Sequence, residues 1–469
     1  MNAVLLKDIT FSYDGKTKIL DGVDFHADYG EISLIAGHSG EGKSTLASII
    51  CGIIPNVNSG TLEGQVIIDG ENIDGKKMGD ICRKVGIVLQ NADEQIVHKI
   101  VEDEIAFGCE NLAFSQEKIA KQIEIVCNLM KLSPNWKTRS LSGGQKQRLI
   151  TASTLAMGQK IIILDEPLAN LDRQGGQLLM DTLKSLAKVG YAILVVEHRL
   201  DMVMPFVDRV WHISQGKAIE VENKQEFLKE QTKAIEDICP IFQIKDSIFD
   251  IKSVKFTVKK REILKDISCQ IPKGARMLLL GENGCGKTTL LRLIARLSKP
   301  TAGNIYQYID SKLGQKKSGS KKYYKRVGVV YQNPDYQLFM PTVREEIELC
   351  AETKEYAERI ENLLGVAHLL DRHPQSLSQG QKRLVSIASV VASKPDVLIL
   401  DEPTVGQDYD GLRRLVTALN EIHKQSGNTM ITVTHDVRCA DALCDVAIHI
   451  KDGKVYRFGG KEIVKDFFS

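Results

Sequence analysis

Two stretches of this sequence carry residue types and spacings suited to gripping a chain of phosphates and directing water onto it. They open at GHSGEGKST (Gly37–Thr45) and GENGCGKTT (Gly281–Thr289). Both fit G-x-x-x-x-G-K-[ST], a loop whose backbone N–H groups and following helix N-terminus surround phosphate oxygens. Gly37, Gly40 and Gly42, like Gly281, Gly284 and Gly286, let the backbone approach a ligand with no Cβ in the way. Lys43 and Lys287 are expected to reach the β- and γ-phosphates, and the hydroxyls of Ser44 and Thr288 to bind Mg²⁺. His38, Ser39, Glu41 and Thr45 complete the first candidate cradle; Glu282, Asn283, Cys285 and Thr289 complete the second. Downstream, Asp165–Glu166 and Asp401–Glu402 each follow four apolar residues. An aspartate there can hold Mg²⁺, and its neighbouring glutamate can polarise the attacking water.

The two sets repeat in order. LSGGQKQR (Leu141–Arg148) returns as LSQGQKR (Leu377–Arg383), and EHRL (Glu197–Leu200) is matched by THD (Thr434–Asp436). Gly281 lies 244 positions after Gly37, and Asp401 lies 236 after Asp165. A period near half the chain marks a duplicated domain.

The elements that must position these residues follow the same rhythm. Alternating apolar residues predict strands around Ile9, Phe11 and Tyr13 and around Val254, Phe256 and Val258. Buried strands at 32–36 and 277–280 lead into the phosphate loops, and apolar helices follow at 46–54 and 290–297. Further strands are expected at 192–196 and 430–433. Strands alternating with helices predict an α/β fold around a mostly parallel sheet. The segments 91–140 and 333–376 carry helical periodicity and are expected to form smaller helical lobes. The boundaries read as domain 1 over 1–232, a short polar linker over 233–245 and domain 2 over 246–469. A basic run, Gln315–Arg326, reads as a solvated loop, with an anion or lipid contact as the alternative.

Composition excludes several classes. At 469 residues, 43% hydrophobic and 26% charged, the chain reads as an ordinary globular protein. A net charge of +2 offers no basic field for nucleic acid. The apolar runs are strand-sized, well short of the roughly 20 residues that cross a bilayer. The opening MNAVLLKDITFSYDG does not look like a signal peptide. Ten scattered cysteines without a CxxC pair suit reduced thiols better than a disulfide framework or zinc site.

LSGGQ, with a phosphate loop upstream and ILDEP downstream, resembles the ATP-binding cassette (ABC) ATPases, twice and over nearly the whole chain. The resemblance implies two P-loop cassettes, each with a RecA-like core, an antiparallel β subdomain and a helical signature subdomain. It implies ATP and Mg²⁺ as ligands, with each ATP lying between one cassette's phosphate loop and the other's signature. Ser378, Gln379, Gly380 and Gln381 would then close on ATP held at Lys43, and Ser142, Gly143, Gly144 and Gln145 on ATP held at Lys287. Gln379 replaces the usual first glycine. By the same resemblance, Gln90 and Gln332 would contact Mg²⁺, alongside Ser44, Asp165, Thr288 and Asp401. His198 and His435 would contact the γ-phosphate, and Asp172 and Asp408 would communicate across the dimer. Tyr13 occupies the place of an adenine-stacking ring, with core packing as its alternative reading. The second half offers Thr257 or Val258 there, unless Phe256 compensates. Cys285 reads as a tolerated variable position, or as a thiol with its pKa lowered by the adjacent helix N-terminus.

The segments after Gln90 and Gln332 look most like the ATPase subunits of energy-coupling-factor (ECF) importers of vitamins or transition-metal ions. That implies integral membrane partners, a scaffold and a substrate-binding protein, and a peripheral place on the cytoplasmic face of the cell membrane. No nucleic acid is expected. Asp93, Gln95, Asp335 and Gln337 would line grooves for the partners' coupling helices. The alternatives are a tandem sugar-importer ATPase and a soluble tandem translation factor. The short join and the two histidines argue against the translation factor.

Overall fold

The computed structural model describes residues 2–38, 40–90, 92–169, 171, 173–239, 246–259, 261–309, 312–314, 323 and 326–468. Ser39, Asp172 and nearly all of the basic run 315–326 lie outside the described residues. The chain divides into two compact units, Met1–Thr232 and Lys233–Ser469.

The first unit contains two sheets. In the larger, the neighbours run Lys217–Glu220, Arg209–Ser214, Ile32–Gly37, Ala192–Val196, Ile161–Asp165, Val85–Val88. All pairings there are parallel except the first. The smaller is antiparallel and is built on Asn2–Ser12, paired with Lys18–Asp28 and Thr61–Ile68.

Period-two alternation divides the core. Ile162, Leu164, Ile193 and Val195 face one hydrophobic cluster, shared with the helices Val101–Asn111, Gln116–Met130 and Gly143–Ala156. Ile161, Ile163, Leu194 and Val196 face the other, shared with the antiparallel sheet. Both faces are covered, so these strands read as unbroken apolar runs.

The second unit repeats the plan. Its central neighbours are Val446–Lys451, Arg276–Leu280, Thr429–Val433, Val397–Asp401 and Val327–Val330. Its helical lobe holds Val343–Glu348, Lys354–Leu363 and Gln379–Ala392. Here the antiparallel strands join the main sheet through a bridge between Asp266 and Lys454, giving ten strands in one sheet. The difference from the first unit is small, because the Asp21 N–H donates to the Gly216 carbonyl at 2.9 Å at the matching place.

The described part of the join, residues 233–239, packs on the second unit. Ile235 is buried there and its N–H donates to the Arg438 carbonyl. Asp237 pairs with the buried guanidinium of Arg276 at 2.7 Å and with Lys461 at 2.6 Å. The polar composition that reads as a linker instead satisfies a buried charge.

Candidate active site

The carboxyl ends of the parallel strands bring the predicted residues together within each unit. Leu164 is in register with Val88, and Asp165 with Val196. Gln90, Asp165–Glu166 and His198 therefore leave adjacent strands on the edge where Ile32–Gly37 opens into the phosphate loop. Ligands in open α/β sheets gather at such edges.

Steric contacts explain the loop's glycines. A Cβ on Gly37 would meet the Ile213 carbonyl oxygen at 2.3 Å, and one on Gly281 the Ile450 carbonyl oxygen at 2.4 Å. Gly42 and Gly286 cap their helices at φ of 96° and 108°, left-handed values that disfavour side chains. The helices Lys43–Ile50 and Lys287–Ile294 begin at once, so the lysine stems are buried. Lys43 Nζ donates to the His38 carbonyl at 2.6 Å; Lys287 Nζ donates to the carbonyls of Gly281 and Glu282 at 2.6 and 3.1 Å. Glu41 accepts from the His38 N–H at 3.1 Å and steadies the first loop.

Each acidic pair ends a buried strand. Glu166 and Glu402 both adopt left-handed backbone, φ 47° and 51°, held by N–H bonds to the carbonyls of Val196 and Val433. Such conformations in non-glycine residues cluster where structure serves chemistry. Gln90 Nε2 donates to Glu166 Oε2 at 2.7 Å, and His198 Nε2 lies 3.6 Å from Oε1. In the second unit His435 Nε2 lies 3.4 Å from Glu402 Oε1.

The charges are crowded. Burial, and then the neighbouring Glu197 and Asp165, push the Glu166 carboxyl up to about 8, with Lys43 and Gln90 opposing. Burial raises Asp165 above the usual carboxylate range against its hydrogen bond from Ser44. Burial and Glu402 push Asp401 up to about 6, opposed by Thr288, Lys287 and Arg383. The Thr288 hydroxyl sits 3.5 Å from Asp401 Oδ1. Hydroxyl, carboxylate and amide donors are all oxygen-based, and such a set suits Mg²⁺. Among the described residues no cluster of three or more His, Cys, Asp and Glu could hold a metal by itself.

The signature residues sit at helix starts. Ser142 caps Gly143–Ala156 in a reciprocal box with Gln145, and Ser378 caps Gln379–Ala392 in the same way with Gln381. Gln379 is the first helical residue and leaves that box intact. The next position tolerates less, because a Cβ on Gly380 would meet the Gly406 carbonyl at 2.7 Å. Asp408 caps its helix by accepting from the Gly411 N–H at 2.6 Å.

Strand register identifies the counterpart of Tyr13 in the second unit. Phe11 pairs with Leu20, and Phe256 with Leu264, so Phe256 takes the core place of Phe11 and Val258 the place of Tyr13. Tyr13 is 52% exposed, with its ring edge against Phe11 and its hydroxyl 3.2 Å from Thr45 Oγ1, so core packing does not account for it. The reading of Cys285 as a low-pKa thiol is overturned: burial raises its pKa despite Lys287.

Some residues escaped sequence reasoning. Glu197 is buried beside Glu166 and accepts from the N–H groups of Leu168, His198 and Arg199. In the second unit Thr434 stands there, sharing a 2.8 Å hydrogen bond with Thr404. Glu104 is buried and accepts from the N–H groups of Val97 and His98 at 2.9 and 2.6 Å; Glu346 does the same for Phe339 and Met340 at 2.7 and 2.8 Å. The repeated V-x-x-E-I of Val101–Ile105 and Val343–Ile347 was the available signal. Gln95 and Gln337 turn inward, each bonding both backbone groups of the strand ends before Gln90 and Gln332. Their amides brace those strands, and Asp93 and Asp335 pair with Lys146 and Lys382.

Comparison with known proteins agrees with this geometry. The profile of the family described as "ABC transporter" matches residues 20–169 and again 264–405. The chain is 33% identical to the "Putative HMP/thiamine import ATP-binding protein YkoD" of Bacillus subtilis (strain 168), over 95% of this chain and 89% of that protein. It is 31% identical to a "Putative ABC transporter ATP-binding protein" of Methanosarcina mazei, over 98% and 90%. Among solved structures, an archaeal ribosome recycling factor, aABCE1, superposes with a TM-score of 0.67 over 98% of this chain and 92% of that one. "RNase-L Inhibitor" superposes with 0.66 over the same shares. At 20% and 19% identity those two speak to fold alone. With two phosphate loops, two acidic pairs and two capped signatures in matching places, the chain belongs to the ABC transporter family and is a tandem ATPase.

Proposed function

We propose that this chain is the energy-coupling subunit of an ECF-type importer for a vitamin or transition-metal ion, docked on integral membrane partners at the cytoplasmic face. The observation that carries this reading is a repeated surface beside each switch glutamine. Val97 and Phe107 follow Gln90, and Tyr336 and Phe339 follow Gln332, all exposed. Glu104 and Glu346 hold the loops bearing Val97 and Phe339 from within. Apolar side chains kept in place at solvent suit a protein partner. The named importer ATPase of B. subtilis, aligned over nearly its whole length, supports the same reading. Asp93 and Asp335 are the groups at these loops suited to a basic residue on the partner.

Two ATP sites would do the work, one at each phosphate loop. Lys43 and Lys287 bind the phosphates. Glu166 and Glu402, poised by Gln90, His198 and His435, orient and polarise the attacking water. A bound Mg²⁺, held through Ser44, Asp165 and Gln90 or through Thr288, Asp401 and Gln332, would neutralise phosphate charge. Closure upon ATP pushes the partners, and hydrolysis lets the sites reopen. Among the described residues no helix is long and apolar enough to cross a membrane, so attachment must come through partners or lie outside those residues.

Affinity purification from detergent-solubilised membranes tests the proposal. It should recover integral membrane proteins, and substituting Phe339→Asp with Val97→Asp should release them. Recovery of ribosomes without any membrane protein would overturn it.

A further inference from the structure

The two units differ in what ties the signature helix to the strand end that carries the switch glutamine. In the second unit Arg383, on the helix Gln379–Ala392, is almost fully buried. It donates through Nη1 to the Tyr331 carbonyl at 2.6 Å and through Nη2 to the carbonyl of Gln332 itself. The acidic pair faces the same guanidinium: Asp401 and Glu402 both favour its charged form, although burial lowers its pKa to about 10. A planar guanidinium with two fixed donors on consecutive carbonyls constrains that backbone more than a single hydrogen bond does.

Among the described residues of the first unit no such tie is seen. Counting from Ser142 and Ser378, the residue equivalent to Arg383 is Gln147. Gln147 is buried, and its Nε2 has no hydrogen-bond partner. The neighbouring Arg148 donates to the Met130 carbonyl instead. The other brace is common to both units: Gln95 and Gln337 each bond the preceding strand end. The arginine is thus an addition to a shared frame.

We propose that Arg383 is a positioning residue of the second ATP site, locking the backbone of Gln332 to the signature helix so that the two move together, a coupling the first unit lacks. Its guanidinium holds backbone carbonyls of the strand end. Its effect reaches the chemistry through where Gln332 stands. A displacement of the second helical lobe would then be felt at Gln332 directly, whereas the corresponding displacement in the first unit would reach Gln90 only through the common frame.

The inference rests on the ATPase reading of both sites but not on the importer assignment. It is therefore tested with the purified full chain and ATP–Mg²⁺, without membrane partners. Arg383→Gln gives the second unit the first unit's residue. It should lower kcat about fivefold while KM changes less than about twofold, because an oriented group is lost without loss of phosphate contacts. Combined with Gln332→Ala, it should cost nothing further; combined with Gln90→Ala, the losses should multiply. Arg383→Lys, which keeps the charge and can reach one carbonyl, should recover half or more of the lost rate. Should Arg383→Gln fail to fold, Arg383→Lys carries the same two combinations. Multiplying losses with both glutamine variants, or a change confined to melting temperature, would make Arg383 a packing residue and overturn the proposal. If Glu166→Gln and Glu402→Gln each left turnover unchanged, the ATPase assignment of the two sites would fail instead, a separate outcome.

Discussion

Set side by side, the two sites share a frame and differ in the side chains placed on it. Both have a buried lysine folded onto its own loop, a glutamate in left-handed backbone and a histidine within 3.6 Å of that glutamate. Around this frame the first site has the exposed ring of Tyr13 beside its phosphate loop and a second buried carboxylate, Glu197, beside the catalytic candidate. The second has Val258 and the neutral Thr434 at those places, and gains Arg383 next to its acidic pair. Duplication preserved the backbone requirements, which tolerate few residues, and let the electrostatics diverge. The two sites are expected to turn over with different pH and ATP dependence.

The comparison is broken most forcefully at the glutamates. Glu166→Gln and Glu402→Gln should each reduce steady-state ATPase activity severely. The double variant should lie about 100-fold or more below the unaltered chain, the range of a lost group that orients and polarises the attacking water. Unchanged turnover in both single variants would falsify the two-site reading. A smaller effect separates the adenine positions. Tyr13→Ala, measured with Glu402→Gln so that the first site dominates, should raise KM for ATP about three- to tenfold, the worth of an aromatic stack. Val258→Tyr on the Glu166→Gln background should lower KM at the second site.

The third prediction concerns pH. The folded state holds Glu166 protonated up to about 8, whereas the unfolded chain ionises it in the ordinary carboxylate range. Its contribution to stability is complete below that ordinary range and is lost as pH rises toward 8. Glu166→Gln, which cannot ionise, should therefore melt about 2–4 °C above the unaltered chain at pH 8 and level with it near pH 4.5. An equal difference at both pH values would remove the buried charge as the cause. The smallest effect belongs to Gln379→Gly. Because the capping box around Ser378 is already complete, ATPase activity should stay within about twofold; a larger gain would mean that the Gln379 side chain obstructs the site it closes on.

How far these differences could be read from sequence depended on whether they were local. Lys43, Lys287 and the acidic pairs were legible because a phosphate loop and a strand end demand particular residues at consecutive positions. Glu104 and Glu346 were not singled out, although their motif repeats, because a buried carboxylate serving loop N–H groups looks like any glutamate on a helix. The choice between the two readings of Cys285 was out of reach of sequence for a related reason. The helix N-terminus beside it is visible in sequence, but the burial that outweighs it is set by residues distant along the chain.

By itself, then, the sequence determined that this is a duplicated ATPase, where its two phosphate-loop motifs stand, and which four acidic residues stand at strand ends. Those demands are met by neighbours in the chain, so spacing records them. Only the tertiary structure decided that Val258 rather than Phe256 takes the place of Tyr13, since strand pairing with Leu264 sets the register. Only it placed Glu197 beside Glu166 and Arg383 on the carbonyls of Tyr331 and Gln332. Those contacts join strands and helices some 30 to 50 residues apart, and their chemistry comes from desolvation and charge proximity that exist once the sheet has assembled.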